Sequence, residues 1–200
     1  MSFAYFDFNS SNSSIEILGS SFNLESFKKL SQILLNISTN DKVQEVNIKG
    51  NFNTNFFLKD LNNNKCDLDE TLILLQSITK TIEDSSITFI SNVNNLVQGP
   101  GLEIALACNF IQAEKNTLFQ FNEVNNGLMP FCGSIQRLSR IIGYKNTLET
   151  LLVNKSLSYE ETLKFKITNQ TVDNTLYIRQ IKSLWDQSFT NTFIFYNSKI

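Results

Sequence analysis

In several short runs of this chain, apolar residues follow the pattern that is typical of β-strands. Runs of alternating or continuous apolar residues, bounded by polar turns such as NSSNSS, indicate strands. These runs lie at 3–8, 14–18, 43–50 and 87–93, with two shorter ones near 110–113 and 118–121. The run ITFISNV at 87–93 predicts a buried strand that leads to the glycine turn.

Between these runs, apolar residues spaced three and four apart predict helices. Asn23 is a suitable N-cap for the first helix, whose apolar stripe is Leu24, Phe27, Leu30, Leu34 and Ile37. The second runs from about Asp69 to Ile82 and carries Leu72, Leu75 and Ile78 on one face. A glycine turn precedes a short apolar helix at 101–109, and the last third predicts helices near 133–141, 145–153, 159–165 and 175–188.

Strands alternating with helices indicate an α/β fold. The chain of 200 residues is long enough for one domain with a sizeable core. We expect a core region at 1–142 and a helical C-terminal region at 143–200, which belongs to the same domain and serves as an oligomer contact. The Asn-rich segment 51–66 is expected to form an irregular loop over one end of the sheet.

Composition excludes several classes of function. The chain has no histidine, so Ser-His-Asp catalysis, Cys-His catalysis and histidine zinc sites are impossible. A net charge of −2 gives no electrostatic basis for binding nucleic acid or a membrane surface. The three cysteines are odd in number and do not have the spacing of disulfide or metal-binding pairs, so we expect reduced thiols. With no signal peptide and no apolar run that spans a bilayer, we expect a cytoplasmic protein.

Two carboxylates carry the candidate chemistry. Glu103 lies in VQGPGLEIALACN and Glu123 in TLFQFNEVNNGLMP. Two carboxyls in a partly dry cleft differ in proton affinity and can activate water together. The start of the helix at Gly101 offers N–H groups to a developing oxyanion, but Pro100 has no N–H. A carboxylate on an apolar helix also commonly pairs with arginine, here Arg137 or Arg140, as a structural alternative.

The ordered motifs at 87–172 resemble the enoyl-CoA hydratase/isomerase (crotonase) superfamily. The matching run is NVNNLVQGPGLEIALACNFIQAEKNTLFQFNEVNNGLMPFCGSIQRLSRIIG, followed by LETLLVNKSLSYEETLKFKITNQTV. Such proteins show G-x-A-x-G-G-G-x-E-x-A-x-A-C-D, then P-E-x-x-x-G-x-x-P and Q-R-L-x-R-x-x-G. The resemblance implies a crotonase-like spiral of ββα units with a helical C-terminal part, assembled as a homotrimer or hexamer.

The same resemblance implies a site for the thioester of an acyl-CoA or of a carrier-linked acyl group. Two backbone N–H groups would stabilise an enolate, and Glu103 and Glu123 match the two glutamates that hold water and move protons. The second glycine of G-G-G, which supplies one N–H, is Pro100 here. Gly101 replaces it only if the turn shifts by one residue. The other donor would be the N–H of Lys59, where Leu58 stands in place of a glycine.

Two functions follow from these residues. The first is an enoyl-CoA hydratase or dehydratase acting through an oxyanion-stabilised enolate, with coenzyme A thioester as substrate and no metal or other cofactor. Retention of both glutamates favours water addition or loss over isomerisation. The alternative is a non-catalytic crotonase-like subunit that binds a partner or an acyl thioester without turnover. Thioester hydrolysis or decarboxylation on the same scaffold is a third, lesser possibility.

Overall fold

A computed structural model describes residues 5–10, 13–18, 22–40, 42–54 and 67–169. These residues belong to one compact unit that ends at Asn169. Leu58, Lys59 and the helix expected at 175–188 lie outside the described residues. The division expected at residue 142 stays a prediction.

Strands and helices alternate along the described chain, as the sequence predicts. The first half contains β1 (Tyr5–Asn9), β2 (Ser14–Leu18), α1 (Leu24–Ser38), β3 (Glu45–Gly50), α2 (Leu68–Asp84), β4 (Thr88–Val93), β5 (Leu96–Gln98) and α3 (Pro100–Ala107). The second half contains β6 (Phe110–Ala113), β7 (Leu118–Gln120), a 3-10 turn (Val124–Asn126), α4 (Ser134–Ile142), α5 (Tyr144–Leu152), β8 (Leu157–Ser158) and α6 (Tyr159–Lys164).

The strands form two sheets. The larger is five-stranded with the order β1-β2-β3-β4-β6, in which β1 is antiparallel to β2 and the other neighbours are parallel. The smaller has the order β5-β7-β8, with β5 parallel to β7 and β8 antiparallel to β7. The α/β class is confirmed, although the short strands β5 and β8 escaped the sequence prediction.

The core forms where α1 packs against β1 and against α2, and where α2 packs against α3. Asn23 caps α1 as expected, because its Oδ1 accepts the Ser26 N–H at 2.9 Å. The apolar stripe then faces inward, with Phe27, Leu30 and Leu34 fully buried. Each such side chain stabilises the fold by about 1.5–3 kcal/mol. On α2 the stripe differs from the prediction in one place, since Thr71 is buried and Leu72 is half-buried.

The segment after β3 contacts both β5 and the start of α3. Asn53 forms an isolated parallel bridge with Gln98, and Thr54 N–H donates to the Gln98 carbonyl at 3.1 Å. Gly101 allows this close packing, because a Cβ there would overlap the carbonyl oxygen of Phe52.

Within the described ranges, no helix is both long and apolar enough to cross a membrane.

Candidate active site

Helix α3 carries Glu103 into the interior of the fold. It starts after Gly99, whose φ of 67° belongs to the left-handed region that favours glycine. Pro100 occupies the first turn, where its fixed φ suits a helix and its missing N–H costs nothing. All eight residues of α3 are buried. The glutamate is therefore held in a dry environment by a fully buried helix.

The N–H groups in the first turn of α3 donate their hydrogen bonds to acceptors within the protein. Gly101 N–H donates to Thr54 Oγ1 at 2.8 Å. The N–H groups of Leu102 and Glu103 donate to the Gly99 carbonyl at 2.9 and 3.3 Å. Pro100 has no N–H at all. The oxyanion role expected of Gly101 would require its bond to Thr54 to break, and that role stays a prediction.

Thr54 is a residue that sequence reasoning missed. Its hydroxyl accepts from Gly101 N–H and donates to the Gln98 carbonyl at 2.8 Å, so it joins the chain after β3 to both β5 and α3. The side chain is 1% exposed. Threonine within an Asn-rich stretch gives no sequence signal for this role, because the partner residues lie more than forty positions away.

The Glu103 carboxylate is bound by backbone amides of the loop that precedes α4. Oε1 accepts from Phe131 N–H at 3.2 Å, and Oε2 accepts from Cys132 N–H at 2.8 Å and Ser134 N–H at 3.3 Å. Glu103 itself is 0% exposed. Three N–H donors stabilise the ionised form of a buried carboxyl that would otherwise be strongly disfavoured.

The structural alternative, in which Glu103 pairs with Arg137 or Arg140, is wrong. Arg137 instead donates from Nε to Glu83 Oε1 at 2.7 Å and from Nη1 to the Cys132 carbonyl. Among the described residues, no lysine or arginine lies within ion-pair distance of Glu103. The negative charge of this carboxylate is therefore balanced by amide dipoles, which leave its orientation fixed by the loop.

Glu123 lies just after β7, at the start of the 3-10 turn, and is also 0% exposed. Neither of its carboxylate oxygens has a hydrogen-bond partner among the described residues. Burial, and then the negative charge of Glu103, raise the pKa of Glu123 from 4.5 to about 8. At neutral pH this carboxyl is therefore mostly protonated, and its O–H is available as a proton donor.

The two glutamates have opposite surroundings. Burial also raises the pKa of Glu103, but the Ser134 hydroxyl and the three loop amides oppose that rise. Ser134 Oγ makes no hydrogen bond of normal geometry within the described part of the chain. Its hydroxyl therefore acts on the Glu103 carboxyl as a nearby dipole. When the pair holds one proton, amide donors favour the charge on Glu103 and leave the proton on Glu123. Such a pair contains one base and one acid.

The neighbouring thiols match their expected role in the core. Cys108 is 8% and Cys132 is 2% exposed. Burial raises the pKa of the Cys108 thiol to about 12, and burial together with Glu103 raises the pKa of Cys132 well above its usual range. Both cysteines are therefore thiols at neutral pH and lack the thiolate that a nucleophile needs.

Comparison with known proteins assigns this chain to a family. The family model for enoyl-CoA hydratase/isomerase matches residues 19–188, which is most of the chain and includes both glutamates. The chain belongs to the enoyl-CoA hydratase/isomerase family. This result confirms the resemblance drawn from the motifs around Glu103 and Glu123.

The curated relatives in this family are longer proteins. The fatty acid oxidation complex subunit alpha of Shewanella frigidimarina (strain NCIMB 400) is 33% identical over 99 residues, which are 48% of this chain and 14% of that protein. The subunit of the same name from Aliivibrio fischeri (strain ATCC 700601 / ES114) is 32% identical over 106 residues, 52% of this chain and 15% of that protein. The matched region therefore covers a small part of each relative.

Solved structures show the same family fold. An enoyl-CoA hydratase from Bacillus halodurans superposes with a TM-score of 0.72 at 20% identity, covering 95% of this chain and 81% of that one. Pseudomonas aeruginosa DspI superposes with a TM-score of 0.71 at 21% identity, covering 92% and 73% of the two chains. The crotonase-like architecture expected from the sequence is thereby confirmed.

Proposed function

We propose that this family member adds water to an enoyl thioester, or removes water from the corresponding 3-hydroxyacyl thioester. The observation that carries the proposal is the asymmetric buried pair. Glu103 accepts three backbone N–H bonds, whereas Glu123 is 0% exposed and has no partner for either oxygen among the described residues. An unpartnered buried carboxyl is costly to a fold unless a bound water or substrate uses it.

In this mechanism the two carboxyls have complementary tasks. The Glu103 carboxylate accepts a proton from water, whose oxygen forms a bond to the β carbon of the enoyl group. The protonated Glu123 gives its proton to the α carbon, so that the elements of water are added across the double bond. Transfer of the proton from Glu103 to Glu123 then restores the starting state. The pKa of about 8 keeps Glu123 protonated at neutral pH, as this role requires. Dehydration reverses each step.

Charge that develops on the thioester oxygen needs hydrogen-bond donors. Pro100 offers none, and Gly101 N–H is engaged by Thr54. The remaining family position is the N–H of Lys59, which lies outside the described residues. Removal of one oxyanion donor typically lowers turnover by about 10²–10³-fold. We therefore propose slow turnover of an acyl-CoA or a carrier-linked acyl thioester.

Hydration of crotonyl-CoA tests this proposal, followed as the loss of absorbance of the conjugated thioester. We expect the wild type to turn over and Glu103→Gln to abolish turnover, because an amide cannot accept the proton of water. Glu123→Gln should also lose activity. Glu114→Gln, at an exposed position on the turn after β6, is the matched control and should behave as wild type. Equal activity in all four proteins would overturn the proposal.

A second candidate is a non-catalytic subunit that binds an acyl thioester or a partner protein. The observation that favours it is the lack of a free N–H at the start of α3. Pro100 has no N–H, and the N–H of Gly101 donates to Thr54. Titration calorimetry with crotonyl-CoA separates the two candidates. Binding with no turnover, even after a donor is restored at position 100, would support the second candidate over the first.

Assembly as a homotrimer or hexamer remains part of the proposal. Large apolar side chains at α5 are exposed, since Tyr144 and Val153 are each 72% and Leu152 is 61% accessible. Such side chains are unfavourable in water and suit a contact between copies. Light scattering on the purified protein should give a mass of three or six chains, and a monomer at micromolar concentration would contradict this expectation.

A further inference from the structure

We propose that Arg137, through its ion pair with Glu83, is a positioning residue for Glu103. It acts from the far side of the loop 131–134, whose amides bind the Glu103 carboxylate. This inference rests on the acid–base role proposed for Glu103. It is carried by the hydrogen bonds on the two sides of that loop and by the packing of its glycine.

On one side of the loop, N–H groups define where Glu103 points. Phe131, Cys132 and Ser134 donate to its two oxygens over 2.8–3.3 Å. No side-chain cation of the described chain reaches the carboxylate. A displacement of the loop would therefore move or rotate the carboxylate, because among the described residues the polar groups that act on it, including the Ser134 hydroxyl, belong to this loop.

On the other side, the loop carbonyls are held by α2 and α4. The Phe131 carbonyl accepts from Gln76 Nε2 at 2.9 Å, and the Cys132 carbonyl accepts from Thr79 Oγ1 at 3.2 Å and from Arg137 Nη1. The Phe131 carbonyl and the Cys132 N–H belong to one peptide group. That group accepts a hydrogen bond from α2 and donates one to Glu103, so each bond polarises the other.

Gly133 makes room for the arginine. Its φ of 91° lies in the left-handed region, and a Cβ there would lie 2.9 Å from Arg137 Nη1 and 3.2 Å from Cζ. The guanidinium therefore packs against the loop backbone where a side chain would otherwise stand. A planar group with several fixed donors is suited to this position, because it can bond the Cys132 carbonyl and Glu83 at the same time.

Glu83 fixes the direction of the guanidinium. The Arg137 Nε to Glu83 Oε1 distance is 2.7 Å, with the arginine side chain 10% and the glutamate side chain 43% exposed. Arg137 holds the pKa of Glu83 below its usual value, mainly through this hydrogen bond. The pair thus ties α2 to α4 across the loop, and the loop lies between the ion pair and the catalytic carboxylate.

Amide resonances of the loop test the positioning directly. In nitrogen-15 spectra, we expect Arg137→Met to shift the N–H signals of Phe131, Cys132 and Ser134, and Glu103→Gln to shift the same three. Arg140→Met, an exposed arginine on the same helix, is the matched control and should leave them in place. Unshifted signals in a folded Arg137→Met protein would overturn the proposal. If that variant does not fold, Arg137→Lys keeps the charge with fewer fixed donors and should shift them less.

Kinetics of crotonyl-CoA hydration provide the second readout. Arg137→Met should lower kcat by up to about 10²-fold with little change in KM, because the base is misaligned while the acyl site persists. Arg137→Lys should lower kcat less than Arg137→Met does, because lysine keeps the charge and one donor. An unchanged kcat in a folded Arg137→Met protein would overturn the proposal. A wild type without turnover would refute the proposed hydration instead, and the amide signals would still decide whether Arg137 positions Glu103.

Discussion

The amide N–H of Gly101 donates to the hydroxyl of Thr54 at 2.8 Å. This bond satisfies the first N–H group available after Pro100, so the start of α3 points no free amide of its first turn at the region of Glu103. The site therefore combines a well-prepared acid–base pair with a weakened means of stabilising an oxyanion.

Pro100→Gly should raise turnover. The new N–H lies at the first position of α3, where no carbonyl of the same helix can accept it, so it becomes available to the thioester oxygen. By the converse of known donor deletions, we expect crotonyl-CoA hydration to rise by up to about 10²–10³-fold. The added backbone freedom should lower the free energy of unfolding by about 0.4–1 kcal/mol. An unchanged rate in a folded variant would show that the missing donor does not limit turnover.

Thr54→Val should destabilise the protein, and Thr54→Ser should not. Valine has nearly the same shape as threonine but has no hydroxyl. The Gly101 N–H would lose its acceptor, and the Gln98 carbonyl would lose one of its donors. A buried N–H left unsatisfied costs about 1–3 kcal/mol. Urea unfolding of the two variants measures the difference. If both variants lost equal stability, the hydroxyl would not be the group that matters.

Stability should depend on pH through Glu123. Its pKa is about 8 in the folded protein and 4.5 as an ordinary glutamate, so folding favours the protonated form. The stabilisation is complete below pH 4.5 and is lost as the pH rises through about 8. Over that interval the free energy of unfolding should fall by up to about 1.4 kcal/mol per pH unit.

Glu123→Gln should flatten this fall, because glutamine does not titrate. Glu103→Gln should reduce it, since the charge of Glu103 is one of the causes of the raised pKa. The exposed Glu114→Gln should retain the wild-type slope. Chemical unfolding at several pH values checks all three, and a wild-type curve that rises from pH 5 to pH 8 would contradict the account.

Much of the fold followed from the sequence because its signals are local. The Asn23 cap and the apolar stripe of α1 are set by residues close together in the chain, and both were predicted. Strand β5 was not. It has three residues after Asn95, whose φ of 54° marks a turn, and it exists through pairing with β7, which lies twenty residues further on.

The same distinction applies to the site. Glu103 and Glu123 were found because the family motif marks them, and the position of Pro100 at the helix start was expected. The loop amides that bind Glu103 were not expected, since backbone donors have no sequence signature. Arg137 was expected near Glu103, but Gly133 and Glu83 direct its guanidinium to the other side of the loop.

The pH dependence of kcat/KM for crotonyl-CoA hydration tests the central claim most directly, because it reports ionisation of the free enzyme. If the protonated Glu123 is the acid, kcat/KM of the wild type should fall as the pH rises through about 8. Glu123→Gln should show low activity without that inflection. Turnover that stays constant well above pH 8, or crotonyl-CoA that binds and is not hydrated at any pH, would contradict the account.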